Sequence, residues 1–147
     1  MPSFTHSLNI IGRCTQMERS AVLKELGVCG GQVPYLLRLC RCPGISQEEL
    51  ARALYFNKST VTRQIAALER QGLVRRELSP EDRRRQLVYP TERALEIAPK
   101  IRELVCGWND YLLADLTEEE RLQLQALMER VSQRARDYID REVGWDA

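Results

Sequence analysis

Histidine occurs once in this chain of 147 residues, at His6, and that scarcity excludes a good deal of chemistry at the outset. A zinc site or metalloprotease helix needs paired histidines, and His6 has no second histidine to pair with. Glycine-rich phosphate loops and serine nucleophile elbows are also missing. The three carboxylates Glu118, Glu119 and Glu120 sit in the first turn of a helix, where they favour the macrodipole and need no catalytic role. The five cysteines are an odd number, which argues against a disulfide framework. Cys40 and Cys42 are one residue apart and no partner pair follows, so they lack a zinc-binding spacing. No apolar run approaches membrane-spanning length, and the N-terminus carries no basic segment leading into an apolar one. Linkers rich in glycine or proline, low-complexity stretches and internal repeats are absent too. These absences point to a cytoplasmic chain with no metal, cofactor or membrane partner, and not to an enzyme.

What is present is concentrated between Ile45 and Thr91. Ser46 and Glu49 have the spacing of a capping box, with Ile45 and Leu50 as its hydrophobic staple, so a helix is predicted from Gln47. Asn57 is a second N-cap, opening a helix from Lys58 to about Gln71 that Gly72 ends. In this second helix Val61, Ile65 and Leu68 form one buried stripe. Ser59, Arg63, Ala66, Ala67 and Arg70 occupy the opposite side, flanked by Thr60 and Thr62. Hydroxyls, cations and small alanines on one face can approach base edges closely, and Arg63 has the fork that pairs with guanine. Lys58 and the helix N-terminus suit phosphate. An ordinary amphipathic surface helix would carry a similar stripe, so this element alone leaves both readings open.

The next segment separates them. Leu73–Leu78 and Gln86–Tyr89 are short strand-like runs around SPEDRRR, a hairpin with a long tip. Three adjacent arginines, Arg83, Arg84 and Arg85, repel one another in isolation but suit a narrow minor groove. Between Asn57 and Arg93 there are nine Lys/Arg against five Asp/Glu, a net of about +4 in a chain whose formal total is +1. The near-neutral total hides a basic patch of the kind that releases counterions from DNA.

Both ends carry helical periodicity. Ser7 to Leu26 has Leu8, Ile11, Cys14 and Leu26 in a broken stripe closed by Gly27. A central helix from about Glu92 to Leu113 carries Leu95, Ile97, Ile101, Leu104, Val105, Trp108 and Leu112. Beyond it Thr117 and Glu120 form another capping box, followed by Leu124, Leu127, Met128, Val131, Ala135 and Tyr138 on one face.

The string KSTVTRQIAALERQGLVRR, then DRR, then a strand ending VYPT, resembles the winged helix-turn-helix of the MarR (multiple antibiotic resistance regulator) family. GVCGGQVPYLLRL resembles the family's second helix, and the order of elements agrees from about Ser7 to Arg141. The resemblance implies a mainly α fold: a winged helix-turn-helix with a two-stranded β wing and dimerisation helices at both termini. It implies a single domain over 1–147, with the winged core over about 28–90 and the dimerisation helices over about 5–26 and 92–141. Lys58 to Arg70 would be the recognition helix, with Lys58, Ser59, Thr60, Thr62, Arg63 and Arg70 facing DNA. Arg84 would enter the minor groove, held by Asp82, with Arg83 and Arg85 as phosphate contacts. A two-fold homodimer would set its recognition helices about 34–36 Å apart and require a palindromic double-stranded operator. The expected function is a sequence-specific transcriptional regulator, a repressor released by a small effector.

Family members often hold aromatic or anionic molecules between the dimer helices and the winged domain. The residues that resemblance nominates here are Met17, Tyr35, Trp108 and Tyr111, all of which also suit ordinary core packing. Cys14 lies near the position of the reactive cysteine in peroxide-sensing members, which makes a thiol-based regulator the alternative. The chain lacks the aromatic surroundings of that branch, and Arg13 is the only cation beside Cys14 in sequence. A third possibility is a winged-helix protein-interaction module that does not bind DNA.

Overall fold

The computed structural model describes residues 1–144 and is mainly helical, with one small antiparallel sheet. The elements run α1 (Phe4–Glu25), a 3-10 turn (Gly30–Gln32), α2 (Val33–Arg41), β1 (Ile45–Ser46), α3 (Gln47–Leu54), α4 (Lys58–Arg70), β2 (Val74–Leu78), β3 (Gln86–Pro90), α5 (Glu92–Leu112) and α6 (Glu118–Tyr138), followed by a π-helical turn (Ile139–Val143). Residues up to Val105 form one compact unit and those from Cys106 onward a second. None of the helices among the described residues is long and apolar enough to cross a membrane.

The first unit holds the core. Val61, Ile65 and Leu68 of α4 are fully buried, as the stripe predicts, with Leu36 and Leu39 of α2, Leu50 of α3, Leu73, Val88 of β3 and Ile101 of α5. Each such side chain contributes about 1.5–3 kcal/mol through burial. The helix α1 starts at Phe4, three residues before the predicted Ser7, because the Ser3 hydroxyl accepts a hydrogen bond from the His6 N–H at 3.2 Å. Along its 22 residues only Leu23 is buried.

The wing has the predicted two long strands, β2 and β3, in antiparallel register from Val74 opposite Pro90 to Leu78 opposite Gln86. A third strand joins them. Ile45 and Ser46 pair with Val88 and Leu87, so β3 is central and the sheet order is β1-β3-β2. The chain enters β1 through Gly44, whose φ of +81° is left-handed. A β-carbon there would lie 3.1 Å from the Tyr89 ring, so both the conformation and the close approach require glycine. Gly72, at φ +73°, turns the chain out of α4 as predicted.

The second unit contains the end of α5 and all of α6. Thr117 and Glu120 form the predicted capping box, with the two bonds at 2.8 and 3.3 Å. Trp108 and Tyr111 stack with ring centroids 5.5 Å apart. No residue of α6 is buried, and Leu122, Leu124, Leu127, Val131 and Tyr138 are exposed.

Candidate nucleic-acid interface

The polar face of α4 is positioned by the helix before it. Ser46 and Glu49 make both bonds of the capping box: the Ser46 N–H donates to Glu49 Oε2 at 2.9 Å, and the Glu49 N–H donates to Ser46 Oγ at 3.2 Å. The turn out of α3 passes through Tyr55 in the left-handed region, at φ 55°. Asn57 then caps α4, its side chain accepting from the Thr60 N–H at 2.8 Å. With the apolar stripe packed inward, Lys58, Ser59, Thr62, Arg63 and Arg70 lie toward the surface, while Thr60, Ala66 and Ala67 are half-buried.

Local bonds order this face. Arg63 donates to Thr60 Oγ1 at 3.4 Å, and the Ser59 hydroxyl donates to Asn57 Oδ1 at 3.0 Å. The Thr62 hydroxyl donates to the Lys58 carbonyl at 2.9 Å and accepts from Gln47 Nε2 at 3.3 Å, so Thr62 also ties α4 to the start of α3.

The wing tip is shaped by Asp82 through the backbone. Its carboxylate accepts from the Arg84 N–H at 2.9 Å, and its carbonyl accepts from the Arg85 N–H at 2.9 Å. The buried Ser79 N–H closes the loop on the Arg85 carbonyl at 2.8 Å. Asp82 therefore fixes the peptide that carries Arg84, where the resemblance had it hold that arginine without naming the atoms. Lys58 and Thr62 of α4, Gln47 of α3, and Arg84 and Arg85 of the wing line one cleft of about 230 Å³.

The arginines of this region do not share one environment. Arg85 pairs with Glu49 at 3.0 Å and donates to Ser46 Oγ at 3.3 Å. Arg76 clamps Glu69 through two nitrogens, at 2.6 and 3.0 Å, joining β2 to the end of α4. Arg75 pairs with Glu77 and lies 4.5 Å from the centre of the Tyr89 ring. The hydrogen bond from Arg76 holds the Glu69 carboxyl below its usual range. The capping bonds from Ser46, helped by the Arg85 charge, do the same for Glu49. Among the described residues, Arg63, Arg70, Arg83 and Arg84 have no carboxylate partner.

Another polar set lies at the far end of α4, and the sequence reading did not single it out. Buried Gln32 donates to Gln71 Oε1 at 2.8 Å and accepts from the Cys29 N–H at 3.0 Å. Gln71 donates to the Gly27 carbonyl at 3.1 Å, and its own carbonyl accepts from Arg93 at 3.0 Å. The end of α4 is thus bonded to the loop after α1 and to the start of α5. The only hint in the sequence is a glutamine just before the apolar residues that open α2.

The four nominated effector residues have different surroundings. Met17 is exposed on α1, and Tyr111 is exposed beside Trp108 in the second unit. Tyr35 is in the core, stacked on Phe56 at 5.4 Å. Its hydroxyl has no hydrogen-bond partner among the described residues, and burial pushes its pKa up. Cys14 is exposed on α1, and all five cysteines are free thiols. Cys40 points its thiol at the Ala94 carbonyl, 3.9 Å away, and burial raises its pKa against the pull of Arg102. No group of three or more His, Cys, Asp or Glu side chains among the described residues could hold a metal.

Comparison with known proteins agrees with this geometry. Residues 26–85 match the model of the MarR family. YybA of Bacillus subtilis, an uncharacterized HTH-type transcriptional regulator, is 28% identical over 131 residues, covering 89% of this chain and 87% of its own. The crystal structure of MarR aligns with a TM-score of 0.82 at 36% identity, covering 91% of each chain. A MarR family regulator from Listeria monocytogenes, solved in complex with 26mer DNA, aligns with a TM-score of 0.88 at 28% identity, covering 97% of each chain.

Proposed function

The chain belongs to the MarR family of transcriptional regulators, and from that premise we propose that it acts as a homodimer that reads a palindromic operator in double-stranded DNA and represses transcription until a small molecule releases it. The observation that carries this reading is the single cleft shared by Lys58 and Thr62 of α4 and Arg84 of the wing. A helix and a hairpin held side by side reach two adjacent grooves, the helix reading base edges and the wing arginine entering the minor groove. On this reading Arg63 is the base-reading residue; Lys58, Ser59, Thr60, Thr62 and Arg70 complete the helix face, and Asp82 and Arg83 serve the wing.

The homodimer reading rests on uncovered apolar surface. Phe4, Leu8, Ile10 and Ile11 of α1 are exposed, as are Leu122, Leu124, Leu127, Val131 and Tyr138 of α6, and α6 buries none of its residues. A polar helix with one bare apolar stripe is stabilised by packing that stripe, which a second copy supplies. For the effector, the first unit offers an apolar recess of Pro34, Leu37 and Leu54 edged by Arg38, Arg41 and Arg102. That lining suits an aromatic or other hydrophobic anion.

The decisive experiment is selection of bound duplexes from a random DNA pool, with the mass of the free protein measured by sedimentation. Two inverted half-sites about 10 base pairs apart and a dimer mass are expected. No enrichment over input sequence would end the regulator reading, and a monomer at micromolar concentration would end the homodimer reading.

A further inference from the structure

Of the three adjacent arginines at the wing tip, one is turned back along the surface toward the start of α3. Arg85 Nη2 lies 3.0 Å from Glu49 Oε1 and 3.3 Å from Ser46 Oγ. Both partners already serve α3, since Ser46 caps the helix and Glu49 completes the box. Ser46 is also a residue of β1, paired with Leu87 two positions beyond Arg85, and it is 1% exposed. The backbone of Arg85 is pinned as well, its N–H to Asp82 and its carbonyl to Ser79. One side chain therefore joins the base of the wing loop to the first turn of the helix-turn-helix.

We propose that Arg85 is a positioning residue for DNA binding and not a DNA contact: its pairing with Glu49 and Ser46 holds the wing so that Arg84 stays beside Lys58. This rests on the regulator reading above and gives Arg85 a different role from the expected phosphate contact. A guanidinium shared between a carboxylate and a hydroxyl has already lost part of its value to a phosphate, and leaving would strip Glu49 of its counter-charge at the first turn of α3. Arg83 and Arg84 have no such pairing among the described residues. Keeping Glu49 neutralised has its own effect, since its unpaired carboxylate would repel the DNA backbone.

The test compares Arg85→Met, Glu49→Gln and the double variant, with Arg85→Lys as the conservative replacement. Glu49→Gln removes the ion pair but keeps an oxygen to accept the Ser46 N–H. The probe is a duplex selected from a random pool by the unaltered protein, titrated over a salt series. Removing an exposed pair from each chain of a dimer predicts about three- to tenfold weaker binding for each single variant. The double variant should bind no worse than Arg85→Met, because the two residues act as one unit. Arg85→Lys should recover most of the loss.

The salt slope separates the two roles. In the double variant, which leaves no carboxylate unpaired, loss of a positioning residue leaves it unchanged, whereas deleting one phosphate-binding cation from each chain would lower it by about 1.8. A drop of that size in the double variant, or additive losses there, would overturn the proposal. A readout without DNA guards against confusion with the regulator reading. Hydrogen exchange at the Ser79 and Arg85 amides should quicken in Arg85→Met and Glu49→Gln alike, with the exchange of core amides of α4 unchanged. Unaltered exchange at those two amides would also overturn it. If the unaltered protein binds no duplex, the regulator reading fails, and the exchange result still decides whether Arg85 anchors the wing.

Discussion

Replacing Arg84 by alanine gives the sharpest quantitative expectation for the proposed interface. Nine cations lie between Asn57 and Arg93. Arg75, Arg76 and Arg85 are engaged with Glu77, Glu69 and Glu49, and Arg93 is bonded to the Gln71 carbonyl. Arg70 completes the helix face at the last residue of α4, outside the wing cleft, and is assigned no phosphate. In the proposed interface Lys58 and Arg63 on the outer face of α4, with Arg83 and Arg84 at the wing tip, are the cations assigned to DNA, about four per chain and about eight per proposed dimer. With about 0.9 counterion released per phosphate, log affinity should fall against log salt with a slope of about −7. A fourfold rise in salt would then weaken binding by about 10⁴-fold. Arg84→Ala removes one cation from each protomer and should bring the slope to about −5.4, so the same rise weakens binding only about 10³-fold. Sequence preference within each half-site should change little, because a minor-groove arginine reads width more than base identity. Fluorescence anisotropy with a labelled duplex, at five or six salt concentrations, measures both quantities. A slope of about −7 retained in Arg84→Ala would mean that this side chain meets no phosphate, and a slope near zero in the unaltered protein would remove DNA binding altogether.

Three further outcomes follow from other parts of the molecule. Arg63→Ala should weaken operator binding by about 1–3 kcal/mol and relax discrimination at particular base pairs, which a panel of single-base operator variants would reveal; equal loss on every variant would reassign Arg63 to the backbone. Gln71→Ala should cost about 1–3 kcal/mol in urea unfolding, because buried Gln32 then has a donor with no acceptor; a change within error would mean that water replaces Gln71. The pairing and capping of Glu49 and Glu69 lower their folded pKa values relative to the unfolded chain, so their stabilisation is present above the ordinary value of 4.5 and is lost as pH falls through the folded values. Urea midpoints should therefore drop below about pH 4.5, and Glu69→Gln should flatten that limb; an unchanged limb would show that the clamp with Arg76 does not persist in solution.

Local signals carried most of the fold because they act over three or four residues. Ser46 with Glu49, Asn57 before Lys58, and Thr117 with Glu120 are reciprocal or single caps, and each helix starts where its cap predicts. The stripe of Val61, Ile65 and Leu68 is equally local, so the side of α4 that turns outward could be read from spacing alone. Ser3 shows how a cap can escape notice: Phe4 extends the Leu8 and Ile11 spacing back by one turn, and α1 began three residues before the predicted Ser7. The strand β1 had no signal of its own. Two residues are too few to show alternation, and Ile45 and Ser46 were already accounted for as staple and cap.

Charge pairing is harder to foresee, because a formal count treats every arginine alike. Arg83, Arg84 and Arg85 are adjacent in SPEDRRR, and composition cannot rank them. What distinguishes Arg85 is Glu49, 36 positions earlier, brought within 3.0 Å because β1 pairs with β3 beside the start of α3. Glu49 was legible as a capping residue, and that reading was complete in itself; a carboxylate has two oxygens, and the second was left without an assignment. The same holds at Thr62, whose hydroxyl the sequence assigns to the outer face of α4, while the fold also engages it with Gln47. In both cases the chemistry of the face depends on contacts between segments that local periodicity treats separately. A basic patch read from sequence therefore gives an upper limit on the cations available to DNA, and the ion pairs of the folded chain decide how far below that limit the salt slope falls.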